Sequence, residues 1–197
     1  MRIEYPEGAT PLDPAEITGL KYKHVTTRAE LDHLEQANVQ AGLRWLKRAR
    51  KVDPLDEQFL RTLHEHLFGE VWDWAGQFRR TEKNIGVDPR QIQVQLRVLT
   101  DDTHYWIENE TYVKTEIALR FHHRLVKIHL FPNGNGRHAR IAADLLLIRV
   151  INAEPIDWTA GHDLQNINAR RVAYIEALRA ADNHDYKLLL DFASIGA

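Results

Sequence analysis

Cysteine is absent from the chain, which removes disulfide frameworks, cysteine-based zinc sites and thiol catalysis in one step. Charge of one sign is also missing. Twenty-six Lys and Arg face 28 Asp and Glu, leaving a formal charge of −2, so the surface as a whole is not built to neutralise nucleic-acid phosphates. No apolar run approaches the roughly 18 residues of a membrane span, and the opening residues lack a basic segment followed by an apolar core. These absences lead to the expectation of a soluble, cytoplasmic protein without membrane or direct nucleic-acid binding. Internal repeats and low-complexity tracts are lacking too, and 197 residues suit one main domain.

What is present is mostly helical spacing. Residues 1–25 carry Pro6, Gly8, Pro11, Pro14 and Gly19 and read as an irregular arm. Thr26 or Thr27, followed by Glu30, has the form of a capping box that opens a helix from about Thr27 to Lys51, with Gly42 as a candidate break. Asp53 and Pro54 suggest the start of a second helix with Phe59, Leu60, Leu63 and Leu67 on one face and Gly69 at its end. Residues 77–88 lose that spacing and predict a loop or short β-hairpin turning near Lys83 to Gly86. Helical spacing resumes through Ile92, Leu96, Leu99 and Trp106. It returns through Ile117, Phe121, Leu125 and Ile128, through Ile141, Leu145 and Ile148, and in the tail through Val172, Ile175, Leu178, Leu188 and Phe192.

The chemistry concentrates in "HLFPNGNGRHAR", residues 129–140. Its plain reading is a turn between two helices, since Pro132, Asn133 and Gly134 are turn residues. The neighbours suggest more. Gly134, Asn135 and Gly136 can turn consecutive N–H groups onto an anion, and the start of the following helix adds unpaired N–H groups. Arg137 and Arg140 stand where the helix dipole disfavours cations, a placement that a bound polyphosphate would offset. His129, at the end of the preceding helix, is either a carbonyl cap or a general base beside the cradle. Three other readings are weaker. "GNGRHA", with Glu154 downstream, fits a dinucleotide fingerprint but lacks the preceding strand; His122, His123, His129 and His138 lack the spacing of a metal site; and a DNA-reading helix at 137–144 conflicts with its apolar face and the overall charge.

The same stretch resembles the signature of the Fic/Doc family, H-P-F-x-[D/E]-G-N-G-R-x-x-R, with Leu130 in place of the proline and Asn133 in place of the acidic residue. "FGEVWDWAGQFR" (68–79) and "YIEALRAADNHDYKLLL" (174–190) extend the resemblance, and the layout resembles the bacterial mobile mystery protein B subgroup. The resemblance implies a Fic-fold helical bundle with a small β-hairpin flap, divided as arm 1–25, a regulatory helix region 26–54 and a Fic domain 55–192. It implies transfer of AMP from ATP to a Ser, Thr or Tyr hydroxyl of a target protein. His129 would be the base, Phe131 the loop's anchor, Gly134, Asn135, Gly136, Arg137 and Arg140 the phosphate site. Thr81, Glu82, Lys83, Asn84, Ile85, Gly86 and Val87 would form a flap that docks the target by strand pairing. Asn133 would be a weakened Mg²⁺ ligand, because it lacks a carboxylate's charge. Glu35 or Glu30 would be the inhibitory glutamate, which in the family pairs with the second motif arginine, here Arg140. The alternatives are transfer of a phosphoryl or other nucleotide moiety by the same site, and a nucleotide-binding protein of toxin–antitoxin type with weak catalysis. An antitoxin partner and homo-oligomers belong to the same family-based expectation.

Overall fold

Thr27 opens the first long helix reciprocally: its hydroxyl accepts the Glu30 N–H at 3.3 Å while the Glu30 carboxylate accepts the Thr27 N–H at 3.0 Å. The structure, a computed structural model, describes residues 10–160, 164 and 168–194. The arm is less irregular than its prolines suggest, because Asp13 caps a single helical turn, α1 (Pro14–Ile17). The earlier part of the expected arm, residues 1–9, lies outside the described residues.

Helix α2 (Arg28–Leu46) ends short of Lys51 and runs through Gly42 without a break. The glycine serves close packing instead, since a Cβ there would lie 2.7 Å from the His66 carbonyl oxygen. Helix α3 (Glu57–Phe68) starts three residues later than Asp53 and Pro54 suggest. Asp53 is spent on a turn, accepting the Leu55 N–H, and Asp56 caps the helix through the Phe59 N–H. A 3₁₀ turn at Pro89–Gln91 leads into α4 (Ile92–Glu108).

Helix α5 (Lys114–Ile128) buries Ala118, Leu119, His122 and His123 besides its expected face of Ile117, Phe121, Leu125 and Ile128. It is therefore the central helix, packed against α4, α6 (Asn135–Leu145), α7 (Ala169–Asp182) and α8 (Lys187–Ser194). Past Leu145 the helix widens into a π-turn, Leu146–Ile151, ending on left-handed Asn152. The wider turn rotates later side chains off the α-helical stripe, which is why Ile148 faces solvent. In the tail the buried face is Tyr174, Ala177 and Ala181 followed by Leu189 and Phe192, whereas Val172 and Leu188 are exposed. Small alanines allow α7 to pack closely but give a weak hydrophobic signal.

The hairpin expected at residues 77–88 is not seen: among the described residues there are no strands, and the one β-interaction is an isolated bridge between Leu20 and Trp72. The segment's ends pair with the motif loop rather than with each other. Arg79 N–H donates to the Leu130 carbonyl at 2.9 Å and Val87 N–H to the Ile128 carbonyl at 3.4 Å. Its middle is tied to the arm, with the Thr81 hydroxyl donating to Asp13 at 2.6 Å and the Lys83 ammonium pairing with Asp13 and Glu16. Among the described residues no helix is long and apolar enough to cross a membrane.

Candidate active site

Helix α5 stops at Ile128 because His129 adopts left-handed angles, φ 59°, and its N–H closes onto the Leu125 carbonyl at 3.1 Å. The loop that follows is pinned from below. Phe131 is fully buried and stacks on the His64 ring at 3.7 Å. His64 Nδ1 accepts the Gly76 N–H at 3.0 Å, which leaves Nε2 as the N–H donor to the Asn133 carbonyl at 3.0 Å. The Asn135 side chain turns back, its Oδ1 accepting the Phe131 N–H and its Nδ2 donating to the Phe131 carbonyl. What Asn135 presents to a ligand is thus its backbone N–H.

Gly134 caps α6 at φ 77°, and a Cβ there would stand 2.6 Å from the Phe68 ring. Only glycine combines that angle with that contact. The N–H groups of residues 135–137 open the helix and have no acceptor within it, and these three residues line the cavity. Gly136 differs from Gly134: an added Cβ would meet nothing closer than Arg140 at 3.6 Å. The protein does not need that glycine for packing, and the space it leaves lies in the cavity.

The cavity has a volume of about 510 Å³ and is lined by His129, residues 133–137 and Arg140 on one side and by Asn84–Val87 of the flap on another. Helix α7 also lines it, through Tyr174, Ile175 and Leu178 among others. That is the size range of small-ligand sites. Arg137 and Arg140 both line it but are turned apart. Arg137 lies over the Phe68 ring and donates to Glu35 at 2.6 Å, whereas Arg140 lies 5.4 Å over the Tyr174 ring.

His129 itself is 4% exposed, and neither ring nitrogen has a hydrogen-bond partner of normal geometry. Burial first, and the neighbouring Arg79 charge second, push its pKa down to about 4, against a smaller opposing effect of the Val126 carbonyl. The imidazole is consequently neutral at pH 7, and the same burial lowers its affinity for a proton. Asn133 also lines the cavity, but its Oδ1 accepts the Gly134 N–H at 2.6 Å. Among the described residues no group of three His, Cys, Asp or Glu side chains is placed to hold a metal ion. The other motif-region histidines are engaged separately: His122 with the Tyr174 hydroxyl, His123 with Tyr186 and Asp182, and His138 with the Leu60 carbonyl.

The expected flap divides in two. Thr81 and Lys83 reach the arm, with Glu82 between them, while Asn84, Ile85, Gly86 and Val87 face the cavity. The two candidate inhibitory glutamates also part company. Glu30 is exposed and spent on capping, accepting the Thr26 and Thr27 N–H groups. Glu35 is buried and reaches the site, where it pairs with the first motif arginine, Arg137, rather than with Arg140. Its other oxygen accepts the Trp72 indole N–H at 2.8 Å. Three contributors were given no individual role by the sequence: His64, and Trp72 and Arg79 within the stretch 68–79. "GQFRR" places Arg79 beside the flap, and only its burial distinguishes it from Arg80.

The sequence model of the Fic/DOC family matches residues 54–147. Protein adenylyltransferase fic-1 of Caenorhabditis elegans is 29% identical over 129 residues, covering 60% of this chain and 25% of that protein. The chain thus spans about a quarter of the length of the curated relatives it matches. Among solved structures, the N-terminal Fic domain of Bep8 from Bartonella sp. 1-1C superposes with a TM-score of 0.69 at 17% identity, over 90% of this chain and 88% of that one. BepC from Bartonella tribocorum, with bound AMPPNP, gives 0.68 at 19% identity, over 97% and 94%. At these identities the likeness shows the fold. With the motif loop, its buried anchor and its cavity in place, residues 54–147 are a Fic/DOC family domain.

Proposed function

We propose that the chain is a protein adenylyltransferase that moves AMP from ATP to a hydroxyl of a target protein. The observation that carries this reading is the neutral, unpartnered His129 ring at the edge of the cavity that the α6 N-terminus, Arg137 and Arg140 line. A triphosphate would lie along the N–H groups of residues 135–137, with the two guanidinium groups on its outer phosphates. That places the α-phosphate toward His129. The ring takes the target hydroxyl's proton as the oxygen attacks the α-phosphorus. The bond from that phosphorus to the bridging oxygen breaks, and pyrophosphate leaves. The named adenylyltransferase relatives and the AMPPNP held by BepC support both the donor and the reaction.

The residues present do not make a charged seat for Mg²⁺. Asn133 offers one neutral oxygen, already accepting an N–H, so Mg²⁺ would be held by the phosphates it accompanies. The target would dock along Asn84–Val87 by main-chain pairing, forming there the strand that the free flap lacks. Because the His129 nitrogens are shielded, docking on the flap and access to the base would be one event. Glu35, by holding Arg137, would restrain the site until that arginine is released to a phosphate. Residues 26–54 would then be the regulatory part, and the catalytic domain would extend through α8. The test is ATP labelled separately at the α- and γ-phosphate, incubated with the protein and cell lysate. α-Label on a target protein is expected, and γ-label would indicate phosphoryl transfer instead.

A further inference from the structure

Arg79 places a buried guanidinium among four main-chain carbonyls. Its Nε donates to His129 O at 2.6 Å, Nη1 to Thr81 O at 2.9 Å, and Nη2 to Val87 O and, at 3.3 Å, to Ile128 O. Two of these carbonyls belong to the flap and two to the turn that carries the proposed base. Among the described residues no carboxylate pairs with it, and Glu82, Asp88 and Glu16 act on it only at a distance, although a buried cation without an ion pair is costly. Gly86 fits over the same spot at φ 112°, and a Cβ on it would stand 2.6 Å from the guanidinium and 2.8 Å from the His129 Cβ. The planar fork of arginine can bind several carbonyls at fixed angles, whereas a lysine is a point charge on a flexible stem.

We infer that Arg79 is a positioning residue that locks both ends of the flap and the left-handed His129 peptide into one frame, so that a target held by the flap meets the His129 ring in register. The inference rests on the adenylyl-transfer reading above. It gives Arg79 no contact with nucleotide: the guanidinium is spent on carbonyls of the flap and the turn, and Arg79 does not line the cavity. Its loss therefore has to separate target handling from nucleotide handling. A structural residue of the core would instead affect both.

Arg79→Lys keeps the charge and loses the fork. Three measurements on the full chain test it: amide hydrogen exchange, AMPPNP binding, and transfer of α-label to an acceptor protein purified from labelled lysate. The expected result is faster exchange at Val87 with unchanged exchange at Phe131, whose N–H is held by Asn135. AMPPNP affinity stays at the wild-type level, while kcat for the acceptor falls about 100-fold, the scale of a misplaced reacting group, and its KM rises. Wild-type exchange at Val87 in folded Arg79→Lys, or AMPPNP binding lost in parallel with transfer, would overturn the inference. Should Arg79→Lys fail to fold, Arg79→Gln keeps a planar pair of N–H donors without the charge or the reach to four carbonyls, and the same readouts decide. If the wild type transfers no α-label, the adenylyl-transfer reading falls by itself. Exchange and AMPPNP binding then still decide whether Arg79 locks the flap to the turn.

Discussion

Glu35 on α2 and Arg137 at the start of α6, 102 residues apart in sequence, meet in an ion pair of 2.6 Å between a carboxylate and a guanidinium that are both largely buried. The contact ties one cavity-lining arginine to a helix outside the matched residues 54–147. Replacing Glu35 with glycine should free Arg137 and raise both AMPPNP affinity and α-label transfer. The same change orphans the Trp72 indole N–H and puts glycine inside a helix, so Tm should fall by the equivalent of about 1–3 kcal/mol. Calorimetric titration and thermal unfolding check both. Unchanged affinity and transfer would show that the pair is only structural.

Gly136 separates packing from binding. Alanine fits the helix there and is favoured over glycine by about 0.5–1 kcal/mol, so Gly136→Ala should unfold no earlier than wild type. The added methyl enters the cavity beside the N–H groups of α6. AMPPNP affinity is expected to fall about tenfold or more, a loss of about 1.4 kcal/mol. Wild-type affinity in this variant would place the phosphates elsewhere.

Asn133→Asp preserves shape and the bond from Gly134 N–H while adding a charge beside the phosphate site. Transfer should then saturate at lower Mg²⁺, since hard cations prefer anionic oxygen. A magnesium titration that superposes on the wild type would remove the amide from any role in metal affinity.

Acid should destabilise the protein before most of its carboxylates protonate. His129 and His138 are held at about 4, chiefly by burial, and His64 and His122 are also pushed well down by burial. Between the ordinary histidine value near 6.5 and about 4 the unfolded chain binds more protons than the folded one, so stability falls as pH falls through that window. For His129 and His138 the loss amounts to about 3 kcal/mol each at the acid end. Asp144, raised to about 6 by burial, works in the opposite direction, as the folded state retains its proton up to a higher pH. Four histidines outweigh one aspartate, and urea unfolding at pH 7, 6 and 5 should show a steadily lower midpoint. A flat profile would mean that the buried rings reach water.

Much of this arrangement could be read from the chain, for specific physical reasons. The α5 stripe of Ile117, Phe121, Leu125 and Ile128 is periodic, the Thr27 and Glu30 cap is local, and the turn at Gly134 follows from glycine's tolerance of left-handed angles. The π-turn after Leu145 and the alanine face of α7 escaped because neither yields a large apolar residue at regular spacing. Arg79 and His64 escaped for another reason: both act on main-chain groups of distant residues, and a carbonyl acceptor leaves no trace in side-chain identity. The missing hairpin belongs with them, since its backbone groups were claimed by the motif loop and by Arg79. The choice of Arg137 over Arg140 by Glu35 depends on how α2 lies against Trp72 and Phe68, which no local pattern encodes.

The central claim is that His129 takes a proton from a target hydroxyl as AMP is transferred. It is tested most directly by comparing wild type and His129→Ala for α-labelled AMP on target protein, with AMPPNP affinity measured on the same samples. The account predicts that the label disappears in the variant while AMPPNP still binds. Equal labelling by the two proteins, or γ-label in place of α-label from the wild type, would contradict it.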